Sequence, residues 1–139
     1  MTSQNVVVGD VMSDRFVLMD GLVTVYDALQ EMKRNSAVIL MVNKKDSGDE
    51  FGVVVLSDIA KKVLAKDRSP ERVNVYEIMT KPVISVHSKM KIKYCARLFL
   101  QFGIACAPVI ENGEVLGVVS YEALVMEGLV MAGANAIGA

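Results

Sequence analysis

The chain has 139 residues, a net charge of −1 and a hydrophobic fraction of 53%. That length suits one domain or two small lobes sharing a core, and so apolar a short chain is expected to bury surface between subunits as well as within itself. Charge is balanced in both halves, 9 basic against 10 acidic side chains over residues 1–70 and 6 against 6 over 71–139, which leaves no phosphate-backbone footprint and excludes nucleic acid as an expected partner.

In chain order, MTSQNVVVGD has no basic start and no long apolar run, so no secretory signal is expected. DVMSDRFVLM reads as a Met-Ser pair leading into a strand. VYDALQEM places Val25, Ala28, Leu29 and Met32 at i, i+3, i+4 and i+7, the stripe of a helix with one buried face. AVILMV, residues 37–42, is the longest uncharged apolar run in the body. It suits one buried strand and is far too short to span a bilayer, so no membrane partner is expected. NKKDSGDEF is a hairpin loop, GVVVLSDI a strand running into a helix, and KDRSPERVN a charged, proline-containing linker.

After the linker, EIMTKPVISV reads as a second leading strand. Lys89, Lys91 and Lys93 in HSKMKIKY read as a solvated helix start, with a phosphate contact as the sharper alternative. IKYCARLF repeats the helical stripe with Ile92, Cys95, Ala96 and Phe99. IACAPV is a short buried strand, IENGEVL a turn and GVVSYEAL a strand running into a helix. The last stretch, LVMEGLVMAGANAIGA, reads as a helix end followed by a small-residue tail packed on a partner subunit.

The chain therefore states one pattern twice. A shift of 67 lays DVMSDRFVLM on EIMTKPVISV, VYDALQEM on IKYCARLF and AVILMV on IACAPV. The first turn is two residues longer, so the shift becomes 65 and Gly52-Val53-Val54 falls on Gly117-Val118-Val119. A slip confined to a Gly/Asp-rich turn is what a hairpin loop tolerates. The repeats run about 11–65 and 78–130, giving a first unit at 1–70 and a second at 71–139, each strand, helix, strand, hairpin, strand, helix. Neither buries its apolar faces alone, and packing about a pseudo-twofold axis predicts two equivalent clefts built from both.

Two cysteines eleven apart, Cys95 and Cys106, match no zinc or CxxC spacing and read as buried thiols in a reducing cytoplasm. The single histidine, His87, has no nucleophile or metal-ligand pattern around it, so neither catalytic residues nor a metal are expected.

Taken together, MSDRFVLM, MTKPVISV, GVVVLSDI and GIACAPVIENGEVLGVVSYEAL resemble the cystathionine-β-synthase (CBS) domain family, over about residues 9–128. The resemblance implies a mixed α+β fold of tandem CBS motifs, each β-α-β-β-α: a stand-alone Bateman module. It implies a non-enzymatic, cytoplasmic regulatory subunit, homodimeric through its helices, that requires no cofactor. The expected ligand is adenosyl (AMP, ADP, ATP or S-adenosylmethionine), and the regulated partner is unnamed. A ligand-free dimerisation or interaction module is the rival reading.

The same resemblance names a site. Asp58, six residues after Gly52, would hold the ribose diol, because a carboxylate accepts two charge-assisted hydrogen bonds from vicinal hydroxyls. Ser57, Thr80, Val83, Ser85, Ile104, Ala105 and Pro108 would line the same cleft. Read without the resemblance, Asp58 is a helix-start acid and Val83 and Ile104 are strand core. The family's Ser/Thr-x-x-Asp pair is split here, Val55 and Asp58 in the first repeat, Ser120 and Ala123 in the second. The Arg or His that reaches phosphate in many members is Ala105 or Cys106 here, and Val38 or Ile39 in the first repeat. That points away from tight triphosphate binding, with Lys81 or Lys89 as substitute cations for a mononucleotide.

Overall fold

The computed structural model describes residues 5–133. The elements in order are α1 (Val8–Val11), β1 (Phe16–Met19), α2 (Val25–Arg34), β2 (Ile39–Val42), β3 (Gly52–Val55), α3 (Leu56–Ile59, continued by a π-helical turn, Ala60–Leu64), α4 (Ile92–Phe102), β4 (Cys106–Glu111), β5 (Glu114–Ser120) and a π-helical α5 (Ala123–Leu129). Residues 134–139 of the small-residue tail lie outside the described residues.

The chain forms two compact units, one of residues 15–83 and one of residues 1–14 with 84–139. Repeat boundary and packing boundary thus differ. The segment leading each repeat packs in the unit that holds the other repeat's hairpin.

In the unit 15–83, β1 runs parallel to β2, and β2 antiparallel to β3. The helical stripe read from the sequence is the buried one: Val25 and Ala28 are fully buried, Met32 nearly so, with Leu29 packed at the edge. Thr24 caps α2 by accepting the Asp27 N–H at 3.1 Å. In the other unit β4 and β5 pair in the same register as β2 and β3. Ile39 faces Val55 as Cys106 faces Ser120, and Val42 faces Gly52 as Val109 faces Gly117. Ile92, Cys95 and Phe99 form the matching buried stripe. The β4–β5 turn is Asn112-Gly113, both at positive φ (53° and 76°), which an Asn-Gly pair adopts at little cost. The longer β2–β3 loop is pinned instead by side chains: Asp46 accepts the Gly48 N–H and Asp49 the Lys45 N–H, at 2.9 and 2.8 Å.

The leading segments are bound in matching ways. Ser13 bridges Val118 and Thr80 bridges Val53; Val7 bridges Lys91 and Asn74 bridges Thr24. Met12 lies beside Gly117 and Met79 over Gly52, and a β-carbon on either glycine would collide, with the Ser13 carbonyl oxygen at Gly117 and with Met79 Sδ at Gly52. The leading Met-Ser/Thr and the Gly-Val-Val of the sequence are thus two sides of one contact, made twice.

One expected strand is shortened. The second leading strand survives as a single parallel bridge, Val86 to Val109, equivalent to the last rung of β1 on β2, Met19 to Val42. Pro108 stands where the first repeat has Met41, and a proline has no N–H to give a neighbouring strand. Its carbonyl still accepts the Val86 N–H at 3.0 Å.

Candidate functional site

Asp58 lies where β3 passes into α3. Val55 is the N-cap residue in extended conformation, and valine has no oxygen with which to cap a helix. The acid closes the helix start instead: Asp58 Oδ2 accepts the Val55 N–H at 3.0 Å. Its other oxygen stands 3.9 Å from Lys62 Nζ, and the side chain is 20% exposed. Lys62 donates to the Ile78 carbonyl at 3.0 Å, so the lysine is held beside the acid.

At the equivalent place in the second repeat Ser120 Oγ accepts the Ala123 N–H at 3.2 Å. A full capping box uses a hydroxyl for the N3 N–H and an acid for the N-cap N–H. The first repeat retains the acid half and the second the hydroxyl half, which gives a structural account of the split Ser/Thr-x-x-Asp pattern. The acid half recurs elsewhere: Asp10 accepts the Val7 N–H at 3.0 Å and Glu77 the Asn74 N–H at 2.8 Å.

Of the other candidates, Ser57, Thr80 and Val83 share the unit of Asp58, whereas Ser85, Ile104, Ala105 and Pro108 belong to the other unit. Thr80 is tied to the strand that leads to Asp58: its N–H and carbonyl both bond Val53, at 2.8 and 3.0 Å, while the residue remains exposed. Ser57 is exposed and Val83 half-buried. In the other unit Ala105 is exposed with its carbonyl accepting the Tyr121 N–H at 3.0 Å, and Ile104 is half-buried with its N–H on the Phe99 carbonyl at 3.1 Å. Ser85 is exposed and Pro108 buried.

The substitute cation Lys81 is already engaged. Its ammonium lies 2.5 Å from Asp49 on the β2–β3 loop. The hydrogen bond from Lys81, with the backbone N–H groups of Lys45 and Glu50, holds the Asp49 carboxyl well below the usual carboxylate range. The loop's two extra residues hid this pair from the sequence reading. Because the folded carboxyl is the stronger acid, its contribution to stability is present above the ordinary value of 3.8 and is lost as pH falls towards the folded value. Asp49→Asn is therefore expected to be less stable than the parent in urea at pH 7, with the gap closing on acidification below that value. A gap independent of pH would assign the loss to packing.

Glu111 is similarly held low, by the Ser88 hydroxyl and by the Ser88 N–H at 2.6 Å, with His87 and Lys89 nearby. Burial pushes the Cys95 thiol up to about 11, which makes it a poor nucleophile at neutral pH. No disulfide joins Cys95 to Cys106. Among the described residues no cluster of His, Cys, Asp and Glu is placed to hold a metal ion, and no helix is long and apolar enough to cross a membrane.

Two tandem α/β units, each a helix and a hairpin completed by a segment from the other repeat, define a class of internally duplicated α/β modules. Comparison with known proteins gives the family. The CBS domain family model matches residues 75–129. A hexameric CBS-CP12 protein from bloom-forming cyanobacteria is similar at 34% identity with a TM-score of 0.84, covering 88% of this chain and 71% of that one. The chain belongs to the CBS domain family. The CBS domain pair of protein MJ0100, in complex with 5′-methylthioadenosine and S-adenosyl-L-methionine, shares the fold at a TM-score of 0.73 and 22% identity, over 88% of this chain and 94% of that one. A homoserine O-acetyltransferase of Methanococcus vannielii is 33% identical over 73 residues, 52% of this chain but 15% of that enzyme. The matches span 42%, 15% and 59% of the three curated relatives, less than two thirds of each.

Proposed function

We propose that the chain is a regulatory module that binds an adenosyl ligand through Asp58 and signals its occupancy to a partner protein. The observation that carries this reading is the state of the Asp58 carboxylate. One oxygen accepts the Val55 N–H at 3.0 Å while the other stands 3.9 Å from Lys62 Nζ, beyond hydrogen-bond distance. A carboxylate has about four acceptor positions, so it can take a ribose diol without giving up the helix start. The ligands of the MJ0100 CBS pair support the choice of adenosyl chemistry.

Ser57, Thr80 and Val83 are proposed to line the site from the same unit. Ser85, Ile104, Ala105 and Pro108 enter through the resemblance, as positions to test by substitution. With Lys81 on Asp49 and no Arg or His at Ala105 or Cys106, ligands of low negative charge are favoured over ATP. The module is read as cytoplasmic, self-associating and without an activity of its own. Occupancy changes a partner only if the ligand binds one conformation better than another.

The test is thermal unfolding and calorimetry with 5′-methylthioadenosine, S-adenosylmethionine, AMP and ATP. A ligand at a hundred times its Kd is expected to add about 2.7 kcal/mol of stability. Asp58→Asn keeps an oxygen for the Val55 N–H but loses the charge, and is expected to weaken binding at least about tenfold. Stabilisation by none of the four compounds would reject the adenosyl reading, and unchanged affinity in Asp58→Asn would remove Asp58 from the site.

The second reading, a ligand-free interaction module, is favoured by one observation: Asp10 and Glu77 make the same backbone bond as Asp58. On that reading Asp58→Asn changes no binding because there is none to change.

A further inference from the structure

Lys62 follows Asp58 by one helical turn, with its Nζ 3.9 Å from Asp58 Oδ1. The equivalent positions of the second repeat, at a shift of 65, are Ala123 and Glu127. Acid and lysine thus stand together in one repeat, and the other has neither. The ammonium is also anchored. It donates to the carbonyl of the buried Ile78 at 3.0 Å. Two residues on, Thr80 exchanges two backbone hydrogen bonds with Val53, in the strand that leads to Asp58. Acid, lysine, carbonyl and strand all belong to the unit 15–83. Glu127 could not make the same bond, since a carboxylate has no N–H to give.

We infer that Lys62 sets the charge of ligand that the Asp58 site accepts, selecting an adenosyl mononucleotide, anionic at its 5′ group, over an adenosyl sulfonium, cationic at that group. The inference rests on the reading of Asp58 as the ribose acceptor and names the ligand class for it.

The argument is electrostatic. A lone carboxylate would draw a cation towards itself, whereas the Asp58–Lys62 pair has no net charge and offers a sulfonium no such attraction. The 5′ group is carried by the same ribose ring whose hydroxyls the acid would hold, so it lies within the field of the ammonium. A phosphate there bears nearly two negative charges at neutral pH. At a partly exposed site solvent screens the interaction, and about a tenfold difference in affinity is what survives. The rest of the helix has the same sign. Lys61 and Lys66 occupy exposed positions, and no acid lies between Asp58 and Asp67. Lys81 adds nothing to this, because Asp49 neutralises it.

The experiment is calorimetric titration of the full chain with AMP, 5′-methylthioadenosine and S-adenosylmethionine, at low and at high salt. Lys62→Gln keeps an N–H for the Ile78 carbonyl and loses the charge, Lys62→Arg keeps both, and Lys61→Gln removes the neighbouring exposed charge. Urea unfolding verifies that each variant folds. The parent is expected to bind AMP about tenfold more tightly than S-adenosylmethionine, with an affinity for AMP that falls as salt rises. In Lys62→Gln the affinity for AMP is expected to fall about tenfold, that for 5′-methylthioadenosine to change less than about twofold, and that for S-adenosylmethionine to rise. Lys62→Arg and Lys61→Gln are expected to keep the parent's order. Equal weakening of all three compounds in Lys62→Gln would make the lysine a structural brace and overturn the inference. A parent that prefers S-adenosylmethionine, or a Lys61→Gln variant that reproduces the effect of Lys62→Gln, would overturn it as well. Binding of none of the three rejects the adenosyl reading and the inference with it, whereas binding whose order is untouched in Lys62→Gln rejects the inference alone.

Discussion

Gly117→Ala is expected to lower the stability of the chain by about 1–3 kcal/mol, and Gly117→Val by more, as read from urea unfolding. Gly117 lies in β5 beneath the leading segment of the first repeat. A β-carbon there would stand 2.7 Å from the Ser13 carbonyl oxygen and 3.2 Å from Met12 Sδ. The first of these contacts decides the outcome, because a backbone oxygen cannot rotate away. Ser13 and Val118 exchange two backbone hydrogen bonds, each 2.9 Å. Relieving the clash means moving the bridge, which opens those bonds and lifts Met12 from the hairpin. The glycine is needed for its lack of volume rather than for an unusual backbone angle.

The equivalent change in the first repeat provides the contrast. At Gly52 the closest atom to an added β-carbon is Met79 Sδ, at 2.5 Å, followed by Met79 Cγ at 3.2 Å. A methionine side chain can re-rotate. Gly52→Ala is therefore expected to cost less than Gly117→Ala, about 1 kcal/mol, and trimming Met79 to Ala in the same chain should absorb the added methyl. If the two alanine variants were equally destabilised, or their order reversed, the fit of side chain against backbone would not be what these glycines serve.

The duplication explains why so much of the fold was legible in the sequence. The stripe of Val25, Ala28, Leu29 and Met32 was readable because a helix with one buried face has a period, and its second appearance, from Ile92 to Phe99, excluded coincidence. The two hairpins share one register, Ile39 on Val55 as Cys106 on Ser120, but which residues pair was visible only in the structure. The exchange of leading segments was not legible. Periodicity reports which face of an element is buried and does not report which repeat buries it, so the Met12–Gly117 and Met79–Gly52 contacts appeared in the sequence only as two unexplained motifs. The loss of the second leading strand is signalled by Pro108, a residue that the resemblance also places in the cleft.

The candidate site was partly legible. Asp58 stood out because the other repeat has Ala123 in its place, and both of its readings, helix-start acid and ligand acceptor, were open from the sequence. The bond from the Val55 N–H establishes the first reading. The second is a matter of binding, and binding is what tests it. The engagement of Lys81 by Asp49 could not be foreseen, because the acid sits in the loop where the repeats differ in length.

Phe99→Ala is expected to cost about 3–5 kcal/mol, the largest loss from any single truncation in α4. The phenyl ring is fully buried, at the centre of the core built from Val6, Val8, Val86, Ile92, Cys95, Val109 and Val119. It also meets the Tyr121 ring edge to face, with centroids 5.2 Å apart and planes at 78°, a geometry worth about 0.5–1.5 kcal/mol beyond area alone. Alanine would leave a cavity that these short branched neighbours cannot fill. Methionine is a different matter, since Met32 occupies the equivalent position in the first repeat and is itself nearly fully buried. Phe99→Met keeps most of the volume and loses chiefly the ring contact, so it is expected to cost less than about 1.5 kcal/mol. Urea unfolding of the two variants, with unchanged m-values to verify that the same surface is exposed, separates volume from ring geometry. A methionine variant as unstable as the alanine variant would show that the edge-to-face contact with Tyr121, rather than the filling of the core, is what the second repeat requires at this position.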